Sequence, residues 1–285
     1  MDILKTYKIY IGGSFPRTES GRYYPIADAT GKTLANVCLS SRKDVRNAVV
    51  AARKAFGGWS EKTAFNRGQI LYRIAEMLDG RKGQFIDELM DQGISKSKAE
   101  KEVEQSVDRV VYYAGWADKY QQVASSVNPV SSSHFNFSAL EPMGIIGIIA
   151  PQENSLLGLI ELAIPAICGG NTAVVVASES YPLCSITFAE VLHSSDVPGG
   201  VVNILTGKVA ELAPALAGHM DINALVSCPL GELQTSLALS CVENLKRNFI
   251  YTDPNRQGLN FITDLQEVKT TWHPIESIGG ATSSY

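Results

Sequence analysis

The sequence predicts an α/β protein built on a doubly wound parallel sheet, and three observations predict it. After Pro142, short apolar runs alternate with longer helical segments, the pattern of right-handed strand–helix–strand crossovers. The runs, GIIGIIA from Gly144 and TAVVVAS from Thr172, are continuous rather than alternating, as strands buried on both faces must be. Ahead of Pro142 the apolar period is three and four residues, as in helices laid against such a sheet.

Each element follows from its local pattern. In the first 25 residues, Tyr7, Ile9 and Ile11 alternate with polar or smaller residues until Gly12–Gly13 breaks the run, so short strands around a turn are expected. From Ser41, the residues Val45, Val49, Ala52 and Phe56 recur at helical spacing. Ser41 or Asp44 can cap this helix, which is expected to end near Gly57–Gly58. Further helices are expected over Ala64–Leu78, Arg81–Gln92 and Glu100–Tyr120, the last with Val103, Val107 and Val110–Val111 inward. Residues 126–140 are polar, β-prone and poor in helix formers, which suits an exposed two-stranded extension or a solvated linker. Beyond the strand at Gly144, an all-apolar helix is expected over Ser155–Cys168 and a second strand around Thr172. Then come a helix over Tyr181–Leu192, a strand at Val201–Leu205, a helix over Lys208–Gly218 and a short strand at Ala224–Val226. The polar tail from Asn255 carries no clear pattern.

Composition narrows the function classes. At 285 residues the chain makes one large domain or two small ones. Its 25 basic and 29 acidic residues leave a net charge of −4, which argues against a nucleic-acid or anionic-membrane binder. A hydrophobic content of 45% against 19% charged is that of a globular protein with a core. Five scattered cysteines with no CxxC pair fit a reducing, cytoplasmic setting better than a disulfide framework. No apolar leader is visible in MDILKTYKIY, and the most apolar stretch is broken by Pro151, Gln152, Glu153, Asn154 and Glu161, so no membrane span is expected. The four histidines show neither HxH nor HExxH spacing, so no metal site is expected. The GxGxxG, GxxxxGK[ST] and GxSxG fingerprints are all absent, and Gly144 and Gly147 read as packing glycines on a strand.

The order of the segments nevertheless resembles the aldehyde dehydrogenase superfamily. The pieces that carry the resemblance are YIGGSF (Tyr10–Phe15), AARKAFGGW (Ala51–Trp59), RGQILYRIAEML (Arg67–Leu78), YYAGWADK (Tyr112–Lys119), EPMGIIGIIAPQEN (Glu141–Asn154), PAICGGNTAVVVASE (Pro165–Glu179), DVPGGVVNILTG (Asp196–Gly207) and ENLKR (Glu243–Arg247). The chain most resembles the degenerate second module of family-sixteen-type tandem proteins and their free-standing bacterial counterparts. The resemblance implies the cofactor-fold domain of that family over 1–124 and 142–255, with a β-hairpin extension for oligomerisation over 125–141 joined by 256–276. In this scheme EVKTTWHPI supplies a further strand of the extension, and 277–285 is a tail. It also implies a missing catalytic domain, since only 30 residues follow Asn255 and no cysteine follows Cys241.

The family's chemistry, as the resemblance implies it, needs a cysteine thiolate, an asparagine at the oxyanion, a glutamate base, a lysine and a Gly-Ser-Thr helix start for NAD(P). The asparagine motif becomes Pro151-Gln152-Glu153-Asn154, so Asn154 is the candidate for a vestigial oxyanion residue, its alternative role being a turn residue that caps the next helix. The lysine falls at Val176, while Glu179 of the same motif is retained as a candidate cofactor-binding residue or a helix-start charge. The phosphate turn falls at Ser227-Cys228-Pro229-Leu230-Gly231, where Pro229 removes a backbone donor. The base falls at Tyr251. Among the cysteines only Cys184 lies near a helix start, and a structural role is expected for all five. No catalytic residue is therefore expected.

Two functions are set against each other. One is a non-catalytic subunit, a pseudoenzyme that forms a homo-oligomer or a hetero-oligomer with a full-length aldehyde dehydrogenase in a structural or regulatory role. The other is an oxidoreductase component that still binds NAD(P) and completes a composite active site.

Overall fold

The computed structural model describes residues 4–28, 30–253 and 257–275. The tail expected over 277–285 lies outside them, as do residues 256 and 276 at the limits of the expected extension.

The chain opens with three short strands, β1 (Lys5–Tyr7), β2 (Tyr23–Ala27) and β3 (Thr33–Cys38), paired in the order β1-β3-β2. Tyr10 and Ile204 exchange backbone hydrogen bonds of 2.9 and 2.8 Å, which tie this segment to the edge of the main sheet. Helix α1 (Arg42–Ser60) starts at Ser41, whose backbone N–H and hydroxyl both donate to Asp44 Oδ2, at 2.8 and 2.9 Å. It does not stop at Gly57–Gly58 as expected: Trp59 is buried and its Nε1–H donates to Ile167 O at 3.0 Å, which holds the last turn in helix. Then follow α2 (Ala64–Gly80), α3 (Lys82–Asp91), α4 (Lys96–Trp116) and the short α5 (Tyr120–Ala124). The helix expected over 100–120 thus begins earlier and breaks after Trp116. Val110 faces inward but Val111 is exposed, because neighbours on a helix lie about 100° apart and cannot share a face.

Strands β4 (Ser126–Asn128) and β5 (His134–Pro142) lead into the main alternation. That comprises β6 (Ile145–Ile149), α6 (Leu157–Cys168), β7 (Thr172–Val176), α7 (Leu183–His193), β8 (Val202–Leu205), α8 (Val209–Ala217), β9 (Ala224–Ser227), α9 (Leu233–Val242) and β10 (Arg247–Ile250). A short α10 (Asn260–Thr263) and the long β11 (Gln266–Pro274) complete the described residues. The extension is a three-stranded antiparallel sheet, β11-β5-β4, with β11 and β5 in register from Gln266↔Pro142 to Pro274↔His134.

The main sheet is wholly parallel, in the order β10-β9-β6-β7-β8. Alternation along each strand sends its side chains to two cores. On one face Ile145, Ile149, Val174, Val176, Leu205 and Leu225 pack with Val45 and Val49 of α1 and Leu212 and Leu216 of α8. On the other, Ile146, Ile148, Val175, Ile204 and Val226 pack with α6 and α7, and α2 and α4 lie behind α6.

Buried asparagines close the joints. Asn171, fully buried, accepts from Gly144 N at 3.0 Å and donates to the Leu265 carbonyl at 2.9 Å, joining the start of β6 to the root of the extension. Asn171→Ala strands the Gly144 N–H and leaves Leu265 O with Gln266 Nε2 as its donor, and is expected to lower stability by about 1–3 kcal/mol, read as a shift of the urea midpoint.

Candidate functional site

In an open parallel sheet a ligand sits beyond the carboxyl ends of the strands, where the crossovers reverse direction. Here the chain runs from β6 outward to β7 and β8, then returns to β9 and β10 on the other side of β6. The reversal lies between β6 and β9, and the loops after those strands, 150–156 and 228–232, line it.

The first helix start at this point is α6. Its leading amides gather the positive end of the helix dipole and are a ready anion site. They are occupied from within: Glu102 of α4 places Oε1 3.1, 2.8 and 3.2 Å from the N–H groups of Ser155, Leu156 and Leu157. Glu102 carries no motif that marks it in sequence, and it takes the capping role considered for Asn154. Asn154 itself is half-buried in the same loop, and no side-chain hydrogen bond ties it to α6. Beside it, Gln152 donates to Ala150 O at 2.8 Å and accepts from Glu179 N at 2.8 Å, which binds the loops after β6 and β7 together.

Glu179 closes a second helix start. Its carboxylate accepts from Lys208 Nζ at 2.6 Å and from Val209 N at 3.0 Å, so it serves as a helix-start charge for α8. Val176 ends β7 fully buried, in register with Ile149 and Leu205. At the third helix start, α9, the N–H groups of Leu233 and Gln234 donate back to Leu230 O and Gly231 O at 3.3 and 3.1 Å. Ahead of it Pro229 has no N–H, and the Leu230 N–H donates to Gln234 Oε1 at 3.2 Å. At the carboxyl end of β10, Tyr251 donates to Asp264 Oδ2 at 3.0 Å and packs its ring 4.4 Å from that of Phe261.

Burial raises four of the thiols, Cys168, Cys184, Cys228 and Cys241, above their ordinary value. Cys184 is buried and donates to Phe85 O at 3.8 Å; burial, then Glu88, pushes it well above the ordinary thiol value, outweighing its place near a helix start. Burial pushes Cys168 up to about 12 and Cys228 up to about 11, Cys228 being raised further by Glu153 and Glu161. Cys38 and Cys241 are buried as well. Among the described residues, no three His, Cys, Asp or Glu side chains gather to hold a metal, and no helix is long and apolar enough to cross a membrane.

Beneath the crevice, Arg109 of α4 meets Glu161 of α6 at 2.8 Å, both side chains buried. In the sequence, Glu161 stands out only as the charge that interrupts an apolar helix. Burial pushes its carboxyl up to about 8, against the pull of Arg109 and with Asp253 and Glu102 adding to the rise. A carboxyl raised in this way holds its proton more tightly folded than unfolded. Its contribution is present at low pH and is lost as pH climbs from the unfolded value of 4.5 to about 8. Glu161→Gln is therefore expected to flatten the fall in stability across that window in urea melts. Arg109→Met removes the pull that opposes this rise, so the carboxyl is expected to hold its proton to still higher pH and the fall in stability to extend further up the pH scale in the same assay.

Comparison with known proteins places this arrangement. The model of the aldehyde dehydrogenase family matches residues 16–229. Mouse cytosolic 10-formyltetrahydrofolate dehydrogenase is 31% identical over 248 residues, 85% of this chain and 28% of that protein. Human mitochondrial 10-formyltetrahydrofolate dehydrogenase is 32% identical over 251 residues, 85% of this chain and 27% of that protein. The NAD+ complex of an aldehyde dehydrogenase from Bacillus cereus superposes with a TM-score of 0.82 at 27% identity, over 86% of this chain and 50% of that one. The chain thus spans under a third of the first two relatives and half of the solved structure. With the family model matched over most of its length and the parallel sheet superposed on a solved member, this chain belongs to the aldehyde dehydrogenase family.

Proposed function

We propose that the chain is a non-catalytic aldehyde dehydrogenase-like subunit that associates, through its three-stranded extension, with a second copy or with a full-length aldehyde dehydrogenase. The observation that carries the reading is the Glu102 carboxylate seated on the amides of Ser155, Leu156 and Leu157, where the chain enters α6. A dinucleotide brings its own negative charge to helix starts at this end of the sheet, and the groups found there do not fit one. Glu102 meets the amides entering α6, Glu179 and Lys208 fill the start of α8, the first amides of α9 turn back to Leu230 O and Gly231 O, and Val176 offers neither charge nor donor. A cytoplasmic setting suits its five free thiols.

The extension supports association. Strands β4 and β11 leave two open edges, and Val127, Phe135, Val268 and Trp272 stand exposed on the sheet. Open edges of this kind call for a partner strand. The second reading, a half-site that still binds NAD(P) and completes a composite active centre, draws on the retained Glu179 and on the likeness to an NAD+-bound relative.

Calorimetric titration separates the two. No heat is expected with NAD or NADP at millimolar concentration, and saturable binding of either overturns the closed-crevice reading. Size-exclusion with light scattering is expected to show a dimer or larger, reduced to a monomer by Trp272→Glu. A monomer that also ignores a co-expressed aldehyde dehydrogenase overturns the association.

A further inference from the structure

On the face of the sheet away from α6, helices α1 and α8 lie side by side and leave a cavity of about 760 Å3 between them. Its floor and walls include Val45, Pro214 and Ala215, and its polar lining is strongly one-sided: Arg42, Lys43 and Arg46 from α1, with His219 just past the end of α8. Among the described residues these three cations form no ion pair. The acid that lines the cavity, Glu211, is held by Arg22 at 2.8 Å. The carboxylate within the first turn of α1, Asp44, is committed to Ser41 and to the backbone N–H of Glu19.

His219 is prepared as a further donor. Its Nδ1 accepts the backbone N–H of Asp221 at 3.2 Å, so in the neutral ring the proton sits on Nε2. Burial keeps its pKa below the ordinary value, with Lys246, Arg42 and Arg46 pressing the same way against Asp221. Lys246 itself is not available to a ligand, since its ammonium caps the end of α8 through the carbonyls of Ala217 and His219.

We propose that the groove between α1 and α8 binds a soluble, phosphate-bearing small molecule, its phosphate held by Arg42, Lys43, Arg46 and the Nε2–H of His219 and its apolar part against Val45, Pro214 and Ala215. Three fixed positive charges exceed what one carboxylate balances, whereas a phosphate ester carries close to two negative charges and presents three acceptor oxygens. The volume falls within the range of about 300–1,000 Å3 usual for small-molecule sites. The groove lies on the opposite face of the sheet from α6, so the proposal does not depend on whether the crevice at the strand ends is closed.

The test is calorimetric titration of the full chain with inorganic pyrophosphate at low ionic strength. The unmodified chain is expected to bind saturably. Arg46→Glu and Lys43→Glu, both at exposed positions, are expected to weaken binding on the order of tenfold or more while the far-ultraviolet dichroism is unchanged. Lys98→Glu changes the net charge equally on α4, which packs against α2, α3 and α6, and is expected to bind as the unmodified chain does. Absence of binding, equal binding in all variants, or equal weakening by Lys98→Glu overturns the proposal.

Discussion

A parallel sheet covered on both faces leaves its polar groups no access to water, and most of this molecule is the working-out of that constraint. Strands β6, β7, β8 and β9 expose none of their residues. Two apolar cores are then required, one under α1 and α8 and one under α6 and α7. Wherever a strand ends, a side chain must receive what the ladder leaves over. Asn223 Oδ1 accepts from Ile145 N at 2.9 Å, and Asn203 binds the carbonyls of Ala173 and Gly200 while accepting from Gly12 N. A buried asparagine such as Asn203 is costly without partners, and here its amide holds the sheet to the loops around it.

The same demand shapes the carboxyl ends of the strands. Helix starts carry donors that have no partner within the helix, and something must meet them. In a protein that binds a dinucleotide there, the ligand can do so. Here the chain's own groups meet several of them: Glu102 at the entry to α6, Glu179 at α8, and the carbonyls of Leu230 and Gly231 at α9. Each is an acceptor supplied from within the chain. The sheet therefore keeps its packing while the polar end is self-contained. This is how a fold that belongs to the aldehyde dehydrogenase family supports the reading of a subunit without chemistry of its own.

Much of this was legible before any coordinates. The apolar runs marked β6 and β7, helical spacing marked α1 to α4, and the motif order marked the family. What was missed has physical causes. Helix α9 has a half-exposed, weakly sided sequence, so its period carries little signal, and β10 is an edge strand with exposed ends. Gly57–Gly58 looks like a stop, yet the indole of Trp59, reaching Ile167 O, keeps the helix going. Asn154 and Glu179 stand in the loops after β6 and β7, and the donors that Glu179 meets there, Lys208 and Val209, come from elsewhere in the chain.

The sequence by itself determined that a doubly covered parallel sheet would form, and which residue types stand at each position of a known family pattern, because periodicity and spacing are local properties. Only the tertiary structure decided what fills the crevice. Glu102 lies 53 to 55 residues from the amides it meets, and Arg22 lies 189 residues from Glu211. Pairings at that separation are set by how helices pack, which no local pattern records.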